Sequence, residues 1–188
     1  MDNRTDQDVV DVLTAQHQQI STLIEQIRGD HDDKQQLFNE LVRLLAVHES
    51  AEEEVVHPAA KRAAFGVEDM VKTRLGEENR AKQHLADLYD MGVEHPEFAA
   101  RFARFADAVA DHAAHEEAEE FTMLRKQFSE TQLQRMAESV RFAESVAPTR
   151  PHPRAGESAV ANVLVGPPFA LFDRIRDALR DRGEDTHA

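Results

Sequence analysis

No cysteine occurs in the 188 residues, which excludes disulfides, thiolate zinc sites, cysteine-ligated iron–sulfur clusters and a cysteine nucleophile. Tryptophan is also absent, and a single Tyr beside ten Phe makes a lean aromatic supply. No apolar run is long enough to span a bilayer, so no membrane-inserted segment is expected. The N-terminus lacks the apolar core of a secretory signal, and the cytoplasm is the expected compartment. Positive charge is scarce. Lys and Arg number 22 against 36 Asp and Glu, for a formal net charge of −14. That balance repels nucleic acid and anionic membranes, so neither is expected as a partner.

What is present is helix-forming material, with 41% hydrophobic residues and an abundance of Ala, Glu, Leu and Arg. A first helix, capped by Thr5 or Asp6, is predicted to about Arg28, with Val9, Leu13, Ile20 and Ile24 on one face. A second carries Phe38, Leu41, Leu45 and Val56 and should loosen near Pro58. Gly66 opens a third, running to Met91. Pro96 suits the first turn of a fourth that extends to about Gln127. Ser129 with Gln132 reads as a capping box for a fifth, ending at Val146. The expected architecture is all-α: an up-down-up-down four-helix bundle with an additional C-terminal helix and a Pro-rich tail.

Residues 1–146 form the expected bundle, and 147–188 a Pro-rich linker followed by a short amphipathic helix. Phe169, Leu171, Phe172, Ile175 and Leu179 give that helix an apolar face. The face suits docking on the bundle, or else a partner or homo-oligomer contact.

Two His-x-x-x-Glu pairs, His48–Glu52 and His112–Glu116, stand where apolar residues belong. Positions i and i+4 share a helix face, so each pair aims an imidazole and a carboxylate the same way. At about 100° per residue, the second helix has its stripe at ~150°, His48 at ~120° and Glu52 at ~160°. In the fourth helix the stripe lies at ~100°, Glu116 at ~80° and His112 at ~40°. A third pair, His115–Glu119, has His115 at ~340°, on the predicted solvent face. His17 is inward in the first helix, three before Ile20 and seven before Ile24.

In the third helix Glu78 falls within the apolar stripe. A lone buried carboxylate is costly, so Glu78 requires a cation. That cation is either a metal or Lys82, one turn later. His84 stands at the edge of the stripe, and the inward Tyr89 is either a core residue or an oxygen ligand.

Each inward histidine, taken singly, has an ordinary reading as a hydrogen-bonded core residue. Jointly, His17, His48, Glu52, Glu78, His112 and Glu116 come from four helices at similar depth. Three imidazoles and three carboxylates exceed one tetrahedral zinc and suit two five- or six-coordinate metals with bridging carboxylates. Two non-haem iron ions in a helical bundle are the natural assignment.

These residues resemble the hemerythrin-like (HHE cation-binding) family over about residues 8–127. The likeness rests on His17 in AQHQQI, on HESAEEEVVHP from His48, and on HAAHEEAEE from His112. TRPHP followed by a short amphipathic helix is similar to extensions on some single-domain bacterial members. The resemblance implies a carboxylate-bridged di-iron centre, with or without an oxo bridge, that meets O2, peroxide or nitric oxide. The third helix departs from the pattern. Hemerythrins supply two histidines there, one turn apart, whereas this chain has GEENRAKQHLADL. A ligand set richer in carboxylate favours oxidised iron and peroxide chemistry over reversible oxygen carriage, with Lys82 as candidate proton donor. The alternatives are an oxygen, redox or iron sensor signalling through the tail helix, and a metal-free bundle with buried polar networks.

Overall fold

The computed structural model describes residues 7–29, 32–63, 66–146 and 171–177, and every regular element among them is helical. Helix α1 spans Val9–Arg28 and α2 Lys34–Ala51. A π turn, Glu52–Val56, joins α2 to α3, His57–Ala63. Helix α4 spans Glu68–Met91 and α5 Phe98–His115; a second π turn, Glu116–Glu120, leads into α6, Phe121–Gln127. Helix α7, Glu130–Val146, completes the set. The four long helices of the bundle are therefore α1, α2 with α3, α4, and α5 with α6, and α7 packs against α1 and α2.

Local chemistry sets the boundaries. Asp8 caps α1 through a reciprocal box with Asp11, so the helix starts later than Thr5 or Asp6 would have it. Gly92, at φ 77°, ends α4 in a conformation that side chains with a Cβ disfavour. Ser129 and Gln132 cap α7 reciprocally, as their spacing predicts. Pro58 does not loosen its helix, which runs on to Ala63. Pro58 has no N–H and its ring would crowd the carbonyl four residues back, and the wider π turn just before it absorbs that mismatch.

Apolar side chains gather in two clusters. One joins Ile20, Ile24, Phe38, Leu45, Leu85, Phe102 and Phe105, and the other joins Val9, Leu13, Val56, Phe121, Leu124 and Leu133. His17 on α1, His48 and Glu52 on the α2–α3 helix, and His112 and Glu116 on the α5–α6 helix sit between the stretches feeding these clusters. The bundle thus holds a polar layer between two apolar plugs.

The helical segment 171–177 docks on the bundle. Leu171, Phe172 and Ile175 are buried in the first cluster, so its apolar face is used within the chain. Residues 147–170 and 178–188, which include the linker prolines, Phe169 and Leu179, lie outside the described residues. No helix among the described residues is long and apolar enough to cross a membrane.

Candidate metal centre

Both π turns begin at a carboxylate, Glu52 and Glu116, each four residues after an inward histidine. Before the turn, α-helical phase places His48 above Glu52 and His112 above Glu116. After it, one extra residue per turn shifts the phase and brings new side chains to the same layer. His57 enters the centre in this way, whereas Glu120, four residues after Glu116 and still inside its turn, shares the inward face already.

Three groups of potential ligands result, each with donor atoms within 4.8 Å of one another. They are His17, His48, Glu52 and Glu116; Glu52, Glu78, His112 and Glu116; and His57, Glu116 and Glu120. The first two groups share both Glu52 and Glu116, which is what bridging carboxylates between two cations would require. All six residues expected from the sequence are buried and come together here.

Outer partners orient the rings. His17 donates from Nδ1 to Glu117 at 2.8 Å, and His48 from Nδ1 to Gln16 Oε1 at 2.9 Å. Gln16 in turn donates to Glu144 at 2.8 Å. His112 places Nδ1 3.1 Å from Glu77, which also holds Arg74 at 2.5 Å. Each Nε2 is left facing inward. This is the arrangement of metal-bound histidines, whose second nitrogen is fixed by a carboxylate or carbonyl. Nε2 of His17 lies 3.0 Å from Nε2 of His48, and only a shared proton or a cation satisfies both. Two nitrogens at adjacent corners of an octahedron with bonds of about 2.1 Å would be about 3.0 Å apart.

Electrostatics follow from packing acids together away from water. Burial, then Glu116, pushes the Glu52 carboxyl well above its usual range. Burial and Glu78 raise Glu49 to about 8. Burial alone would raise Glu116, but contacts of 3.2 Å with His112 and 3.4 Å with His17 outweigh it and hold that carboxyl low. No donor is aimed along those contacts, which are ionic rather than hydrogen bonds. Burial opposes charge on His57 and His112, yet their carboxylate partners raise both to about 10. Burial and His17 depress His48.

The residues fit a cation. Both oxygens of Glu52 and of Glu116, Oε2 of Glu78 and Nε2 of His112 are buried without a hydrogen-bond partner. Such orphaned acceptors are rare unless something satisfies them. Lys82 does not do so: Nζ pairs with Glu53 and stands 3.9 Å from Glu78 and 3.8 Å from Glu49. Its direct partner is thus Glu53, with the Phe172 ring centroid 5.1 Å away.

The other histidines and Tyr89 are placed plainly. His115 is exposed and stands 3.7 Å from Glu77. His84 is exposed, and Tyr89 packs half-buried against the first apolar cluster. The sequence reading missed His57 and Glu120. The signal for His57 was Pro58, a mid-helix proline directly after it, and for Glu120 its place four residues after Glu116, within the apolar stripe.

A cleft of about 360 Å³ between α1, α2 and α5 leads to the centre. His17, His48, Glu49 and His112 floor it, Ile24 and Val109 wall it, and Arg28 pairs with Asp107 across its mouth at 3.0 Å. Glu52 and Glu116 have no exposure, so the histidines are the edge a small molecule meets first.

Over 145 residues the chain is 28% identical to a Nostoc sp. protein named DNA nickase, an overlap covering 76% of this chain and 41% of the relative. The chain thus spans about two fifths of that relative's length. A crystal structure of a hemerythrin HHE cation-binding domain-containing protein from Mycobacterium kansasii superposes with a TM-score of 0.66 at 18% identity. That superposition covers 92% of this chain and 97% of the other, and shows that the fold is shared. The family model of the hemerythrin HHE cation-binding domain matches residues 8–124, and with it the chain is placed: it belongs to the hemerythrin HHE cation-binding family.

Proposed function

We propose that the protein holds two iron ions and reacts with a small oxidant, with peroxide favoured over O2 or nitric oxide. The observation that carries this reading is the pair of fully buried carboxylates, Glu52 and Glu116, shared by two ligand groups and without hydrogen-bond partners. When bound, the iron pair supplies the electrons exchanged with peroxide. The protein supplies the rest. The cleft admits a small neutral molecule to the His17–His48–His112 edge. Glu78, in place of a neutral imidazole, adds negative charge that favours the ferric state. Lys82 holds protons within 3.9 Å of Glu78. The charge of −14 opposes a role on DNA, and the nickase named for the Nostoc relative is not extended to this chain.

The iron-loaded protein should consume hydrogen peroxide and evolve oxygen, followed with an oxygen electrode. Lys82→Met should slow this roughly 100-fold while retaining iron, the low end of what losing a positioned proton donor costs. Glu78→Ala should slow it further. A stable, reversible oxygenated spectrum with no peroxide consumption would overturn the reading in favour of oxygen carriage.

The sensor reading draws on a separate contact. Segment 171–177 touches the outer side of the centre, where Arg176 pairs with Glu53 at 3.2 Å and Phe172 covers Lys82. A change at Glu78 therefore has a short path to the tail. Limited proteolysis of reduced and oxidised protein would distinguish it: equal cleavage of the tail in both states removes this second reading.

A further inference from the structure

We infer that His57 is a fourth imidazole ligand of the centre, standing with Glu78 and His112 at the second of its two cation positions. The inference rests on the two-ion reading above. It supplies, from a different helix, the imidazole that α4 lacks.

The argument is geometric. Four buried histidines surround the centre, and all four direct Nδ1 to a side-chain oxygen: His17 to Glu117, His48 to Gln16, His112 to Glu77 and His57 to Glu120, which is itself buried. All four leave Nε2 facing inward. In His57 this atom lies 2.6 Å from Glu78 Oε1, itself a member of the second ligand group. Without a cation the ring bridges Glu78 and Glu120 through both nitrogens. Once the Nε2 proton is given up, the ring presents a lone pair inward with Nδ1–H held by Glu120, the orientation in which a second partner fixes a metal-bound histidine. Glu116, the carboxylate common to the first two groups, also falls within the His57 group.

His57 reaches this place only because the turn before it is a π turn. The i→i+5 bond from the His57 N–H to the Glu52 carbonyl brings both side chains to one layer. With His57 counted, the second position has Glu52, Glu78, His112, Glu116 and His57, while the first keeps His17, His48, Glu52 and Glu116. The less crowded position is then that of His17 and His48, which floor the cleft together with His112 of the other. That is where an incoming molecule finds room.

The test uses the metal-free full chain loaded with Co²⁺, which shifts the N–H protons of bound imidazoles far outside the normal NMR range. Wild type should show four exchangeable shifted N–H signals, one from each Nδ1–H now given to Glu117, Gln16, Glu77 or Glu120. His57→Phe should remove one signal and weaken the second cobalt ion roughly 100-fold or more, leaving the first unchanged. Circular dichroism of the metal-free variant checks folding. If His57→Phe does not fold, ¹⁵N-edited assignment of the wild-type signals decides whether His57 is among them. Two cobalt ions bound with only three shifted signals would overturn the assignment while leaving the two-ion reading intact, as would an unaltered isotherm in His57→Phe. Failure of wild type to bind cobalt would overturn both. Loss of peroxide consumption alone, with four signals present, would count against the proposed reaction and support His57 as a ligand.

Discussion

Glu116→Ala is expected to lower the metal content of the purified protein from about two ions per chain to less than about half an ion. Glu116 belongs to all three ligand groups, so its removal strips a donor from every position at once. His112 would keep Glu77, and His17 would keep Glu117, so the helices should still form. The control is His115→Ala, one residue earlier, where the ring is more than half exposed and belongs to no ligand group. It should leave metal content unchanged. Elemental analysis of both variants, expressed in iron-replete medium, checks the contrast. Two ions retained in Glu116→Ala would show that Glu116 is only the ionic partner of His112. Equal loss in both variants would mean that the helical phase around residue 115 is wrong.

The second large effect is a pH dependence with opposite sense in the metal-free and metal-loaded protein. In the metal-free chain His57 and His112 are held at about 10, above the ordinary 6.5. Their contribution is complete below pH 6.5 and is lost as pH rises through 10. Glu49, raised from 4.5 to about 8, stays neutral in the folded chain while the unfolded chain ionises. That cost grows from pH 4.5 and levels off above 8. Between pH 7 and 10 His48 is neutral and Glu116 ionised in both folded and unfolded chains, so neither opposes the trend. The melting temperature of EDTA-stripped protein should therefore fall by roughly 5 °C or more between pH 7 and 10. Metal loading reverses the sense, because imidazoles must give up their protons to bind and acid releases the ion. The stabilisation conferred by Co²⁺ should widen over the same range. A metal-free melting temperature that rises from pH 7 to 9 would contradict the charge arrangement.

The bundle was legible because its long helices keep a regular phase. Leu, Ile and Phe recur on one face, and His17, His48, Glu52, Glu78, His112 and Glu116 could be read against that face directly. Each of those residues precedes, or opens, any π turn in its helix. Past the turns the rule fails: at about 100° per residue His57 falls ~140° from Glu52, and only the i→i+5 turn returns it. Lys82 was read through its i+4 neighbour, Glu78, but its closer partner is Glu53 on the adjacent helix. Such a contact depends on the register between helices, which no single-helix projection contains. The cap of α1 went astray for a simpler reason, since Thr5, Asp6 and Asp8 all carry capping side chains within one turn.

The shared carboxylates also disclose an approximate two-fold relation inside the centre. Exchanging the α1–α2 hairpin with the α4–α5 hairpin maps His48 onto His112, Glu52 onto Glu116, and one π turn onto the other. It maps His17 onto Glu78, and five residues past each shared carboxylate it maps Phe121 onto His57. Phe121 stacks on His17 with ring centroids 5.5 Å apart, while His57 holds Glu78 at 2.6 Å. The symmetry is broken where Gln16 holds His48 but Glu77 holds His112, and again where an aromatic stack on one side is an ion pair on the other. Two binding places that share both bridges are thereby made unequal in charge and in enclosure. Calorimetric titration of the metal-free protein should accordingly resolve two steps, whereas a single two-ion step would mean these differences leave the halves equivalent. A repeated pattern of ligands thus gains two roles from one scaffold through unlike residues at matched positions.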